Sequence, residues 1–234
     1  MQVTSIAEHQ EKHFTAGRNV RDVVIGMADG LTVPFALAAG LAGAQAGTRI
    51  IVTAGLAEIA AGAIAMGLGG YLAARTESEH YNSEKQREFA ETYDKPDQEA
   101  REVADVFRQY GLAEPLIQAV VDSISKDRGR WVDFMMRFEL GLEMPDPNRA
   151  RLSAMWIGFS YLIGGMVPLT PYMLSDDINH SLQVSIVVTA FALTAFGYLK
   201  GRMTTSHPWK SALQTLGIGG TAATVAYLVA RSIG

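Results

Sequence analysis

Five windows of roughly 20 mostly apolar residues constrain this chain more than any other feature, since about that length of helix is needed to cross a ~30 Å hydrocarbon layer. They run over 23–44, 50–73, 152–173, 182–199 and 212–230. Lipid offers no partner to a backbone amide or carbonyl, so such segments must be helices. The bulk averages hide this pattern, because mean hydropathy is only +0.10 and 19% of residues are charged. The charge is concentrated: residues 75–151 hold 17 of the 24 acidic and 12 of the 20 basic residues. The expected fold is therefore all-α, a polytopic membrane protein with five transmembrane helices and a polar three-helix domain inserted between spans two and three. The divisions are an amino tail (1–22), spans one and two (23–74), the insertion (75–151) and spans three to five (152–234).

Several function classes drop out at once. The net charge of -4 gives no case for nucleic acid. With no cysteine, disulfides, thiolate zinc sites, iron–sulfur clusters and cysteine nucleophiles are excluded together. Any metal must be held by carboxylate, imidazole, thioether or backbone oxygen. The first 22 residues include Glu8, Glu11, Lys12, Arg18 and Arg21 and contain no apolar signal-peptide core, so the amino end is expected to be mature and soluble. Five crossings put the two ends on opposite sides. The side shared by the amino tail, the insertion and the 200–210 loop carries 18 of the 20 basic residues, leaving only Arg49 and Arg231 opposite. Positive residues gather on the cytosolic side, which places the insertion and amino end in the cytosol and the carboxyl end across the membrane.

Within the insertion, helix formers abound and β-branched residues are sparse. No breaker interrupts Tyr71 to Phe89, so span two is expected to leave the bilayer as one continuous helix reaching about Glu91. Pro96 suits the first turn of a new helix, Gly111 its carboxyl end and Glu114-Pro115 the next start. A third helix is expected from about Asp127 to Leu142, before Met144-Pro145-Asp146-Pro147 closes the domain.

Ionisable groups inside a bilayer are costly and usually functional. Span one has Asp29 and span two has Glu58, and no other span carries an acidic or basic residue. Pro34, five residues after Asp29, removes an amide hydrogen and frees the carbonyl of Gly30, a plausible companion ligand for a cation. Met66 in span two offers a thioether, which favours transition metals, although a membrane methionine also serves as packing. Glu58 near mid-span suits a ligand, a proton carrier or a protonated packing residue. Gly26 and Gly30 form a small-xxx-small pair, and Gly55, Gly62 and Gly69 recur every seven residues. Such faces allow close helix approach, either within one chain or between the acidic helix pairs of a homodimer.

In the insertion, Glu84, Glu88 and Glu91 fall on one helical stripe, Glu99 and Glu102 are an i, i+3 pair, and Met135 and Glu139 an i, i+4 pair. Like charges so spaced repel by a few tenths of a kcal/mol per pair, a cost that a divalent cation would remove. Oxygen-rich sites beside a methionine suit ferrous iron, manganese or zinc. Each pair alone also fits an ordinary solvated helix face. Glu77 and His80 give one Glu-x-x-His, whereas a di-iron carboxylate oxidase needs two. The chain carries no nucleophile elbow, phosphate-cradling glycine loop or zincin motif.

The string Arg21-Asp22-Val-Val-Ile-Gly-Met-Ala-Asp29-Gly-Leu-Thr-Val-Pro34-Phe-Ala-Leu resembles the vacuolar iron transporter family, as do Ala57-Glu58-Ile-Ala-Ala-Gly-Ala-Ile-Ala-Met66-Gly and the insertion after Tyr71-Leu-Ala-Ala-Arg75. The resemblance covers nearly the whole chain. It implies a homodimer in the vacuole membrane that exports cytosolic ferrous iron in exchange for protons, with no catalytic cofactor and with manganese, zinc and cobalt as further candidate cargo. It implies a pathway lined by Asp29 and Met66, and metal ligands Glu88, Glu91, Glu99, Glu102, Met135 and Glu139 in a cytosolic domain. The alternatives are a membrane-anchored metal sensor or store and a membrane-bound iron oxidase.

Overall fold

A computed structural model describes residues 17–204 and 207–233. The expectations for the amino tail, with His9 and His13, lie outside them apart from residues 17–22. The described residues form α1 (Gly17–Gly43), α2 (Thr48–Asp94), α3 (Pro96–Gln109), α4 (Glu114–Ser125), α5 (Arg128–Phe134) running into a π-helical turn (Met135–Glu139), α6 (Arg149–Leu174), α7 (Ile178–Thr204) and α8 (Pro208–Ile233). The five expected spans fall in α1, α2, α6, α7 and α8, each long and apolar enough to cross a membrane. All five helices overrun the apolar windows, because polar flanking residues continue a helix as readily as apolar ones once its turns are nucleated. The 47 residues of α2 make a rod of roughly 70 Å at 1.5 Å per residue. That is more than twice what the hydrocarbon can cover.

Two units divide the chain: the described residues up to Tyr71 together with those from Arg151, and Leu72–Ala150. The first is a bundle whose outer surface is apolar, with Ile64 72% and Phe191 75% exposed. In water such faces would demand a partner; in lipid they are the solvated side. Its interior holds the small and polar residues instead. Ser181, Ser185 and Thr189 lie four apart along α7 and are buried. Ser185 Oγ donates to the Pro168 carbonyl at 2.7 Å and Ser181 Oγ to the Pro171 carbonyl at 3.3 Å, tying α7 to the proline-bearing end of α6. An apolar cluster of Ala38, Ala42, Ile51, Ile59, Leu169 and Tyr172 joins α1, α2 and α6.

The glycine pattern serves that bundle. A Cβ at Gly26 would strike the carbonyl of Ile157, and one at Gly30 that of Tyr161, so α1 lies directly on the backbone of α6. On α2, Gly55 faces Leu169 and Gly62 the Tyr161 ring. The seven-residue stripe then breaks, for Gly69 meets nothing within 4 Å while Gly70 abuts Ile157 and Ser153. Two heptads turn a straight helix's stripe by about 40°, which carries Gly69 off the face toward α6, while Gly70, about 100° further round, meets α6 on that face's other flank.

The second unit contains the outer part of α2 with α3, α4, α5 and the π turn. Pro96 opens α3, Gly111 follows it at φ +80°, and Asp127 caps α5 by accepting from the Arg130 amide. The expected third helix thus starts one residue after its cap and ends at Glu139, its last turn widened to π geometry. This turn buries both Met135 and Met136, one against Val103, Ile117 and Trp131, the other against Tyr81 and Val132. Two adjacent residues thereby serve two clusters.

The Gly26 contact makes a direct prediction. Gly26→Ala should lower the melting temperature of the detergent-purified protein, by an overpacking cost of about 1–3 kcal/mol. Gly217→Ala, where nothing lies within 4 Å of the added Cβ, should leave it unchanged or slightly raised in the same fluorescence melt.

Candidate functional sites

Each unit holds its own group of carboxylates. In the bundle, Asp29, Glu58 and Met66 are all half-buried. Glu58 sits on the α2 face turned to α6, and Tyr161 Oη donates to its Oε1 at 2.5 Å. The other oxygen, Oε2, is buried and has no hydrogen-bond partner. Tyr161 is 2% exposed, and its carbonyl lies against Gly30, the residue after Asp29. α6 therefore packs against both of the helices that carry an intramembrane carboxylate. Met66 lies eight residues beyond Glu58, which on a helix means about 12 Å along the axis and some 80° round it. Glu58 and Met66 therefore do not share one point on α2, and of the two it is Glu58 that bonds Tyr161.

Tyr161 was not among the residues singled out from the sequence. A tyrosine in an apolar run reads as packing, and its pairing with Glu58 spans 103 positions. Only the flanking glycines gave a signal, since Gly30 and Gly62 clear the space it fills.

In the second unit, Glu88 is 3% and Glu99 1% exposed, and the Oε2 atom of each is buried without a partner. Burial first, then Glu102, Glu88, Glu91 and Glu139, push the Glu99 carboxyl up to about 8. Glu88 is raised chiefly by burial and by Glu91, against the lowering pull of Arg87. Glu139 lies at the solvent-exposed rim, yet partial desolvation and Glu102, Glu88 and Glu91 raise its carboxyl to about 7. Five predicted glutamates from three helical segments thus share one field. Among the described residues, no three Asp, Glu or His side chains close on a point tightly enough to form a metal shell. The arrangement is a negative basin with uncompensated oxygens, without an assembled coordination sphere.

The remaining predicted partners are placed less simply. Met135 is fully buried in the apolar cluster with Val103 and Trp131. Glu84, on the predicted stripe, pairs with Arg87 Nη2 at 2.6 Å. Arg87 also lies 3.9 Å from both Glu88 and Glu91, and Lys95 reaches Glu91 at 3.5 Å. Arg87 and Lys95 partly neutralise the basin, pairings that follow the i, i+3 and i, i+4 spacing of α2 but were not singled out from the sequence. Glu102 accepts from Gln98 Nε2 at 3.1 Å. His80 of the lone Glu-x-x-His sits 3.9 Å from Glu84.

The VIT family model matches residues 20–231, which takes in both carboxylate groups. This chain belongs to the VIT family. It is 53% identical over 226 residues to Vacuolar iron transporter 2 of Oryza sativa subsp. japonica, covering 97% of this chain and 92% of the relative. Vacuolar iron transporter 1 of Arabidopsis thaliana is 52% identical over 230 residues, 98% of this chain and 92% of its own length. Vacuolar iron transporter 1 of Tulipa gesneriana is 53% identical over 228 residues, with 97% and 92% covered. The matched span takes in both units of this chain.

The raised carboxyls set a pH dependence. The folded Glu99 holds its proton up to about 8 against an ordinary 4.5, so the fold binds protons more tightly than the unfolded chain. Its contribution is full below about 4.5 and is lost as pH rises through about 8. Glu139 acts the same way up to about 7. In metal-free protein, hydrogen-exchange protection of Val103, Trp131 and Val132, corrected for intrinsic rate, should fall between pH 5 and 8. A divalent cation should restore it.

Proposed function

We propose that this protein is a divalent-metal transporter that carries ferrous iron from the cytosol across the vacuolar membrane in exchange for protons. The observation that carries the reading is the set of buried carboxylate oxygens without a hydrogen-bond partner, on Glu58 in the bundle and on Glu88 and Glu99 in the second unit. They occur in a chain whose relatives bear the name vacuolar iron transporter. A buried, unsatisfied carboxylate costs several kcal/mol. It is tolerable where a cation or proton arrives to compensate it.

In this mechanism the Leu72–Ala150 unit lies in the cytosol and gathers the ion. Glu88, Glu91, Glu99, Glu102 and Glu139 attract a divalent cation because their mutual repulsion is relieved when it binds. Hard carboxylate oxygens select ferrous iron, manganese, zinc or cobalt over soft monovalent ions, and Met135 supplies a thioether if the π turn rotates it inward. The ion then passes to Asp29 and Met66 in the bundle, with Glu58 beside the route. Protons from an acidic lumen compete with the cation at these carboxylates, so proton entry releases metal on that side. Two copies, with α1 and α2 of each lining a shared path, give five-span protomers enough material to enclose it. The basic residues gathered on the insertion and the 200–210 loop support the cytosolic placement of that side.

Proteoliposomes with an acidic interior and a metal-quenched dye test this. Ferrous iron should quench the dye with the full chain, and Asp29→Ala should cut the initial rate by roughly tenfold or more, ~1.4 kcal/mol at the rate-limiting barrier. Collapsing the gradient should slow uptake likewise. Undiminished uptake by Asp29→Ala, or indifference to the gradient, rejects the mechanism. A sensor or store would bind metal and move none. Separately, Glu102→Ala should weaken equilibrium divalent binding by about tenfold, ~1.4 kcal/mol, in calorimetry on the full-length protein.

A further inference from the structure

Glu58 carries an asymmetry that its position on α2 does not explain. One carboxylate oxygen accepts the Tyr161 hydroxyl at 2.5 Å, and the other is buried with no partner. A carboxylate can turn about its last torsion, and an unpaired one would present either oxygen in either direction. Here one oxygen is pinned from α6. The pin is itself held: Tyr161 is 2% exposed, its carbonyl lies against Gly30 next to Asp29, and its phenol fills the space over Gly62, one turn from Glu58. A Cβ at Gly62 would come within 2.5 Å of the Tyr161 hydroxyl. α2 thus lacks a side chain where this ring needs room, and α1 lacks one where the backbone of Tyr161 passes.

We propose that Tyr161 is a positioning residue for metal passage: its hydroxyl fixes Glu58 Oε1 so that the free Oε2 is presented as an oxygen ligand to the divalent cation. The inference rests on the transport reading and adds a residue to it. Tyr161 acts through Glu58, to which its hydroxyl proton is donated. Its contribution is to spare the cation the cost of ordering a mobile carboxylate, the effect of preorganisation on affinity. A phenol is suited to this in a bilayer. It donates one hydrogen bond, carries no charge to compete with the metal, and its ring is at home among apolar neighbours.

The test is a concentration series for ferrous iron in proteoliposomes with a fixed inside-acidic gradient, using the full chain. Tyr161→Phe keeps the ring and removes only the hydroxyl. It should raise the apparent KM about five- to tenfold, the net size of one ordinary intramolecular hydrogen bond, with Vmax within about twofold. Gly62→Ala, which displaces the phenol rather than removing it, should raise KM in the same direction. In a Glu58→Gln background, Tyr161→Phe should add little, since a residue that acts through another loses its effect when that partner is gone. A packing role would instead reduce the amount of active protein, lowering Vmax at constant KM. Unchanged KM in Tyr161→Phe, or an equal further KM shift in the Glu58→Gln background, overturns the proposal while leaving transport intact. Absence of flux in the unsubstituted protein overturns the transport reading, and this inference with it.

Discussion

The bundle depends on how closely α1 can lie against α6. Hydrocarbon gives helices no hydrophobic reason to associate, because lipid tails are as apolar as leucine. What remains is close packing and a few polar contacts. Gly26 and Gly30 bring α1 onto the carbonyls of Ile157 and Tyr161, while Gly55, Gly62 and Gly70 let α2 approach the same helix. α6 is thus shared between the two helices that carry intramembrane carboxylates. Its own prolines leave the end near Pro168 and Pro171 to be tied by serines from α7. A larger side chain at any of the close glycines would part the helices that bring Tyr161 to Glu58.

The carboxylates of the two units are handled by different physics. In the bundle a single neutral donor holds one oxygen of Glu58 and leaves the other bare. No basic side chain is spent there, so a cation meets no competing charge. In Leu72–Ala150 the acids are crowded, and their repulsion is moderated by Arg87 and Lys95 at separations of 2.6 to 3.9 Å. These pairs are partly exposed and cheap to break. An arriving divalent ion can displace them, and a proton can occupy the same oxygens, as the high carboxyls of Glu99 and Glu139 indicate. On the proposed transport reading, both sites would favour exchange over permanent retention.

Much of this was legible before any coordinates. Hydropathy located α1, α2, α6, α7 and α8, and the lack of breakers between Tyr71 and Phe89 foretold the long α2. Proline and glycine marked the ends of α3 and the start of α4, because their φ restrictions act locally. Spacing paired Glu88 with Glu91 and Glu99 with Glu102 on their own helices, whereas their meeting with Glu139 in one field was implied only by the family resemblance. Spacing was less informative for Met135, whose π turn buries it in an apolar cluster, and for Gly69, which the drift of a straight helix carries off the packed face.

Sequence by itself determined which segments are apolar, where helices start and stop, and which carboxylates lie on a common stripe, for these follow from periodicities and dihedral limits within a few residues. Tertiary structure alone decided which oxygen has a partner. The Tyr161–Glu58 bond joins residues 103 positions apart, and Glu88 and Glu91 of α2 meet Glu99, Glu102 and Glu139 only across separate helices. Such pairings depend on helix rotation and crossing, set by many weak contacts at once. A linear pattern records none of them individually.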